Sequence, residues 1–581
     1  MEMEVQSDSA STLAEQHGPP NKEKGEGVLR RIWRYKFHYI VVLPAMLLLL
    51  YYKVLPFLTG ARVPFIQYSP FKGIMESPWV GWDNFRTLFQ QPAFRRVLAN
   101  TVTLKMSYML VCSVLAIILA LALSGIVSRR LKYGFATLFL LPYFIPSAVA
   151  AYIVQHILSL ESLAKLGISV SPLLDESLFP FVLVLAEAVK TCGIPALLAL
   201  AVMEAKAAAA PLPGTGSGML QPRLVSAVRI ALAFILLQLS SLLATDFELL
   251  HSLQSPPVLR TAETLATYQY RTGLLSMQFS LSAAAWLLQF VLQLVFTFAA
   301  YLLVRKLFKG DLFPGLKDKP GSSPSGRKSS IAGLLAASLY ASLLAALLYG
   351  LFIYPFTVKS AFGLSVWDIA AETNMLGYAV LYLACTVIFM LLTLALAYPL
   401  TVKDLPGRRG YKALLLAVMV MGTGAIHEYL FFRNQGMFDT IYPAAISGLY
   451  SIASVFVLKS IFNSRFSGLK DQAAAAGNGE MRSFFCLFIP KVWKPLIGLG
   501  VLQFAVLWGS YYPSLLYINN PNLAPPVMAF RSAATGAAAE AMNGDPVILQ
   551  VAAIVSLLPV ILLLVFRPLL TPEVMISQLR K

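Results

Sequence analysis

The stretch GLKDQAAAAGNGEMRSFFCLFIPKVWKPL, Gly468 to Leu496, is polar and Ala-rich at its start and apolar at its end. It sits between two long apolar runs, 440–462 and 495–518, and the fold is read outward from them. The chain has 581 residues, of which 13% are charged. A soluble globular chain carries about 25%. The mean hydropathy is +0.69. Runs of about twenty apolar residues are the length a helix needs to cross hydrocarbon. In lipid the backbone must satisfy its own hydrogen bonds, and a helix does so within one segment.

Twelve such spans are expected: 38–59, 98–124, 134–158, 178–203, 224–245, 278–304, 331–355, 376–401, 413–431, 440–462, 495–518 and 546–566. The fold class is therefore all-α, a polytopic membrane protein. With the N-terminus placed in the cytoplasm, thirty of the 46 basic residues fall in inside segments and eleven in outside loops. This bias puts both termini inside a multi-pass protein of the cell membrane. The net charge of +18 is met by anionic lipid of the inner leaflet, so nucleic acid is not needed as a partner.

Residues 1–28 are polar and lack an apolar core, which reads as a disordered cytoplasmic tail and not a signal peptide. The segment 305–330 is basic and rich in Gly, Pro and Ser, a cytoplasmic linker. It divides the chain into 29–304 and 331–581, each with about six spans and each starting inside. The linker string GSSPSGRKS (321–329) is one residue off a phosphate-loop pattern and lacks the strand before it that such a loop needs. No nucleotide, cofactor or metal site is expected. The four Cys are far apart and without ligand spacing. No catalytic motif occurs, so the chain is not expected to be an enzyme.

The opening stretch is then a cytoplasmic connection between the tenth and eleventh spans. Ala favours helix and Gly477 can end one. The segment MRSFFCLFIP adds an amphipathic turn, and Pro490 marks the start of the next span. Such a short inner-face helix either docks something soluble or simply lies in the interface.

These residues resemble the coupling loop of binding-protein-dependent ABC importer permeases, in which E-A-A-x-x-D-G is followed after about twelve residues by L-P. Asp471 stands at the Glu position, Gln472 and Ala473 at the two Ala, Ala476 at the Asp and Gly477 at the Gly. Ile489-Pro490 matches the L-P. Three further strings agree: QGMFDTIY (435–442), AYPLTVKDLPGRRGY (397–411) and LWGSYYPSLLYI (507–518). The last has Gly509-Ser510 where the family has Asn-Asp. The first half resembles the partner permease of oligosaccharide importers, most closely at SPWVGWDNFRTLF (77–89). The resemblance implies two fused permease subunits of the type I fold. It also implies cytoplasmic ABC ATPase subunits gripping the coupling loop, and a lipid-anchored extracytoplasmic binding protein delivering a carbohydrate. The first half departs from the pattern: only Glu204 and Ala205 begin its coupling motif, inside the low-complexity segment 203–225.

For the substrate path, Trp508, Tyr511 and Tyr512 are spaced to share one face of the eleventh span. They line the path, or they serve helix packing or an aromatic belt. Glu187 and Lys190, at i and i+3, pair across one turn or face the path. His427-Glu428 sits near the outer end of the ninth span, at an interface or a gate. A 6+6 secondary carrier is the alternative. It calls for ionisable groups in the membrane, for which only Glu187 and Lys190 are candidates. A transport-dead sensor derived from a permease is a third reading.

Overall fold

The computed structural model describes residues 32–33, 35–165, 167–209, 220–308, 330–358, 367, 373–402, 405–421, 425–466, 468–469, 472, 479–535 and 546–579. Its regular elements are helices. The only strand-like pairs among the described residues are the isolated bridges Ile66 to Trp79 and Ser69 to Gly73. Among the described residues, nine helices are long and apolar enough to cross a membrane, or up to eleven if each of two bent pairs is one span. The expected fifth span, 224–245, falls on the 20-residue helix Leu220–Leu239. That helix stops six residues early, in the turns of Ser240–Ala244.

In chain order the main helices are α1 (Lys36–Leu49), α2 (Pro92–Ser124), α3 (Arg129–Leu140), α4 (Ser147–Ile157), α5 (Phe179–Thr191), α6 (Gly193–Ala209), α7 (Leu220–Leu239), α8 (Phe247–Leu253) and α9 (Phe279–Phe308). After the linker come α10 (Ile331–Phe352), α11 (Met375–Ala397), α12 (Arg408–Met421), α13 (Ala425–Asn434), α14 (Ile452–Arg465), α15 (Ile489–Gly509), α16 (Tyr512–Tyr517), α17 (Pro526–Thr535) and α18 (Pro546–Phe566).

The packing crosses between the two halves of the chain. In the first half α2 lies against α5, α6 and α7, and in the second half α11 lies against α14 and α15. Each hub also takes the first span of the other half: α10 packs on α2, and α1 packs on α11. The close approach of α10 rests on small residues. A Cβ added to Gly333 would lie 2.9 Å from the Ala122 carbonyl oxygen. Lipid is as apolar as Leu, so helices in a membrane gain from tight packing and polar contacts instead of apolar burial, and small residues allow that packing.

Two helix pairs are sharply bent. The pair α5–α6 bends by 48° around Cys192 and the pair α12–α13 by 99°. The first bend is fitted to α3. A Cβ on Gly193 would sit 2.1 Å from the Phe139 carbonyl oxygen, which is backbone and cannot swing aside.

Gly193→Ala should therefore lower the thermal midpoint by several degrees, because overpacking of this kind costs about 1–3 kcal/mol. Gly350→Ala, also within a span, meets nothing within 4 Å and should leave it unchanged. Thermal unfolding of both variants in detergent checks the pair.

Candidate functional site

The helix α8 is the node of the site, and Asp246 builds it. One carboxylate oxygen of Asp246 accepts from the backbone N–H groups of Glu248 and Leu249, at 3.1 Å each, and so caps α8. The other oxygen accepts from Ser147 Oγ at 3.3 Å and lies 3.6 Å from Lys190 Nζ. Lys190 also donates to Ser147 Oγ. Close by, Lys105 Nζ lies 3.9 Å from Glu187 Oε1 and over the Tyr108 ring. A cavity of about 10 Å³ lies among Lys105, Glu187 and Asp246, about the size that holds one water.

The first turn of α8 reaches the other half of the chain. Glu248 Oε1 accepts from Ser510 Oγ at 2.6 Å, from Tyr511 N–H at 2.8 Å and from Tyr512 N–H at 2.9 Å. The carboxylate thus sits at the start of α16, where backbone donors have no helical partner. Tyr511 returns the contact, its hydroxyl donating to the Glu248 carbonyl at 3.0 Å and meeting Ser252 Oγ at 3.0 Å. The Phe247 and Tyr512 rings meet at a tilt of 53°, centroids 4.3 Å apart. The Arg531 guanidinium lies over the Tyr511 ring. The result is a seam of carboxylates, cations, hydroxyls and aromatic faces where the halves meet.

Several expectations are corrected by this arrangement. Glu187 and Lys190 do not pair with each other: tertiary partners, Lys105 and Asp246, take them instead. Nor are they the only candidate ionisable groups, since Asp246, Glu248 and Lys105 join them. Trp508, Tyr511 and Tyr512 do not share a helix face. The span ends at Gly509, Ser510 is extended (φ −89°, ψ 127°), and Pro513 opens a separate helix. Trp508 points the other way. Its Nε1–H donates to the Val555 carbonyl of α18 at 2.8 Å, and it packs with Tyr382 and Phe504. Glu428 bonds Lys53 of the first half at 2.7 Å, while His427 packs on Trp286, ring centroids 4.3 Å apart.

Of the coupling-loop residues, Asp471, Ala473, Ala476 and Gly477 lie outside the described residues, as does most of the 305–330 linker. Gln472 is helical and exposed, and Pro490 is exposed in the first turn of α15. Beyond the loop, the Glu480 carboxylate accepts from Tyr398 OH at 2.8 Å and lies 3.2 Å from Nε2 of the buried His38. Glu204 is held in α6 by Lys132 at 2.6 Å, and Ala205 is buried.

No protein-family model matches the chain. Protein LplB of Bacillus subtilis (strain 168) is 26% identical over 317 residues, covering 52% of this chain and 99% of LplB. The polygalacturonan/rhamnogalacturonan transport system permease protein YteP of the same organism is 27% identical over 298 residues, 49% of this chain and 92% of YteP. The chain is an ABC importer permease. Half of this permease thus matches LplB over nearly its whole length. Among solved structures, the permease matches a bacterial alginate ABC transporter in complex with an alginate pentasaccharide-bound periplasmic protein. That match has 26% identity and a TM-score of 0.43, over 49% of the permease and 99% of the matched chain.

Removing the Glu248 carboxylate should leave three donors of the permease without their acceptor. Glu248→Ala should cost about 1–3 kcal/mol and slow import. Glu248→Gln keeps one acceptor oxygen and should lose less of both. Thermal midpoints and uptake rates of the two variants check this.

Proposed function

We propose that the permease moves a carbohydrate, an oligosaccharide, from an extracytoplasmic binding protein into the cytoplasm, driven by ATP hydrolysed on separate ATPase subunits. The observation that carries this reading is the near full-length match to a permease whose name assigns it to polysaccharide transport. The seam at α8 supports it chemically. Carbohydrate hydroxyls donate and accept, and their C–H faces stack on aromatic rings. Glu248, Asp246, Ser510 and Ser252 supply the polar partners, and Phe247, Tyr511, Tyr512 and Tyr270, whose ring lies 5.5 Å from that of Phe247, supply the faces. A 6+6 carrier driven by an ion gradient is not favoured by these relatives.

Residues 29–304 and 331–581 form the two fused permease units, joined by the cytoplasmic linker 305–330. Both termini are cytoplasmic. An ABC ATPase grips the loop around Asp471, Gln472, Ala473 and Gly477, and Pro490 fixes where that loop enters the span. The first half presents a reduced handle at Glu204 and Ala205, so the two ATPase contacts are unequal. In this scheme the permease supplies the path and the levers. Closure of the ATPases pushes the levers and rocks the halves about the α8–α16 seam.

Affinity purification from membranes in mild detergent tests the scheme. An ABC ATPase should accompany the unaltered permease. Gly477→Arg should remove it while leaving size-exclusion behaviour and thermal midpoint unchanged. Retention of the ATPase by a folded Gly477→Arg variant would refute the docking role, and uptake insensitive to ATP depletion would refute the importer reading.

A further inference from the structure

A cleft of about 390 Å³ lies between the first turns of α2 and the segment 256–271. Its volume is that of a small-ligand site. Three guanidinium groups line it, Arg96, Arg260 and Arg271, together with Glu176 and Glu263. Arg271 is committed, its Nε–H donating to Glu263 Oε1 at 2.7 Å. Among the described residues, Arg96 and Arg260 have no ion pair, and both are exposed. The walls are braced: Asn100 Nδ2 donates to the carbonyls of Arg260, at 3.0 Å, and Glu263, at 3.2 Å. Thr261 Oγ1 donates to the Glu176 carbonyl at 2.9 Å. Pro256, Pro257, Val97 and Leu259 supply an apolar floor. The cleft therefore combines two uncommitted forks, which bind carboxylates in pairs of parallel hydrogen bonds, with the apolar surface a sugar ring needs.

The cleft lies beside the α8 node. One turn along α2 from Asn100, Leu104 and Lys105 line the small cavity at the α8 node. Thr264, next to Glu263, lines the same cavity. The two spaces thus share neighbouring residues of α2 and of the segment 256–271.

We propose that this cleft is a capture site for a carboxylate-bearing sugar, held by Arg96 and Arg260 before the sugar passes to the α8 seam. This rests on the carbohydrate reading above and narrows it to acidic cargo. A neutral sugar can accept single hydrogen bonds from these two guanidinium groups, but only a carboxylate answers both their charge and their paired donors.

The test uses the full permease in nanodiscs of neutral lipid, titrated calorimetrically with a three-residue galacturonate oligomer and with the neutral galactose oligomer of equal length. The acidic oligomer should bind at least about tenfold more tightly, and Arg96→Gln and Arg260→Gln should each weaken it about tenfold without moving the thermal midpoint. Equal binding of the two oligomers overturns the proposal, as does retention of acidic-oligomer binding in the double variant. Loss of that binding when anionic lipid is added, with the phosphate headgroup taking its place, assigns the cleft to lipid and also overturns it. Import into proteoliposomes carrying the ATPase and the binding protein separates the two readings. Import of acidic oligomer unaffected by the double variant removes the capture site and leaves the carbohydrate importer standing. Failure of the intact assembly to import any sugar removes the importer reading, whatever the calorimetry reports.

Discussion

Glu248 offers one carboxylate oxygen to three donors from the far half of the chain, and the geometry of the seam follows from that. A carboxylate removed from bulk water must be matched by donors or it destabilises the fold. Here the donors are the backbone N–H groups that begin α16 and the Ser510 hydroxyl. They become available only because α15 stops at Gly509. Asp246, two residues earlier, turns the other way and balances Lys190. A single short helix therefore carries two opposed obligations, one to its own half and one to the other. Separation of α8 from α16 would strip several groups of their partners at once.

The crossing of first spans gives this seam a rigid frame. Each half contributes its opening helix to the other's hub, so neither half encloses its own core. Lys53 and Glu428 join the halves a second time on the exchanged first span. In a solvent that provides no apolar drive between helices, such contacts depend on close backbone approach and on polar groups. Gly193, Gly333 and the Lys53–Glu428 pair each mark a place where the sequence provides one or the other.

The spans were legible because hydrocarbon imposes a length on apolar runs, and that constraint leaves few alternatives. Their breaks were not. The run from 495 to 518 is largely apolar and reads as one helix, yet Pro513 lacks the N–H that would bond back to the Gly509 carbonyl in a continuous helix. Reading that proline would have separated Trp508 from the two tyrosines. Glu187 and Lys190 had helical spacing for a local pair, but Lys105 and Asp246 compete for the same charges from other elements, and spacing carries no information about them. Asp246 and Glu248 were passed over because they fall just beyond a span. The Asp-x-Glu pattern opening an apolar helix was the available signal, an N-cap followed by an acid in the first turn.

The helix that follows the loop at 468–479 contains a wider, π-type turn, Ser483–Phe488, before it becomes α15. A turn of that kind holds one residue more than an α turn, so it offsets the faces above and below it by roughly 100°. Phe484 and Phe488 use the offset to meet Tyr398, and Phe484 also meets Phe37 of the first span. Beyond the turn, α15 turns a different stripe toward α11. The segment that leads into α15 is thereby anchored to both halves of the chain at once, through Phe37 in the first and Tyr398 in the second.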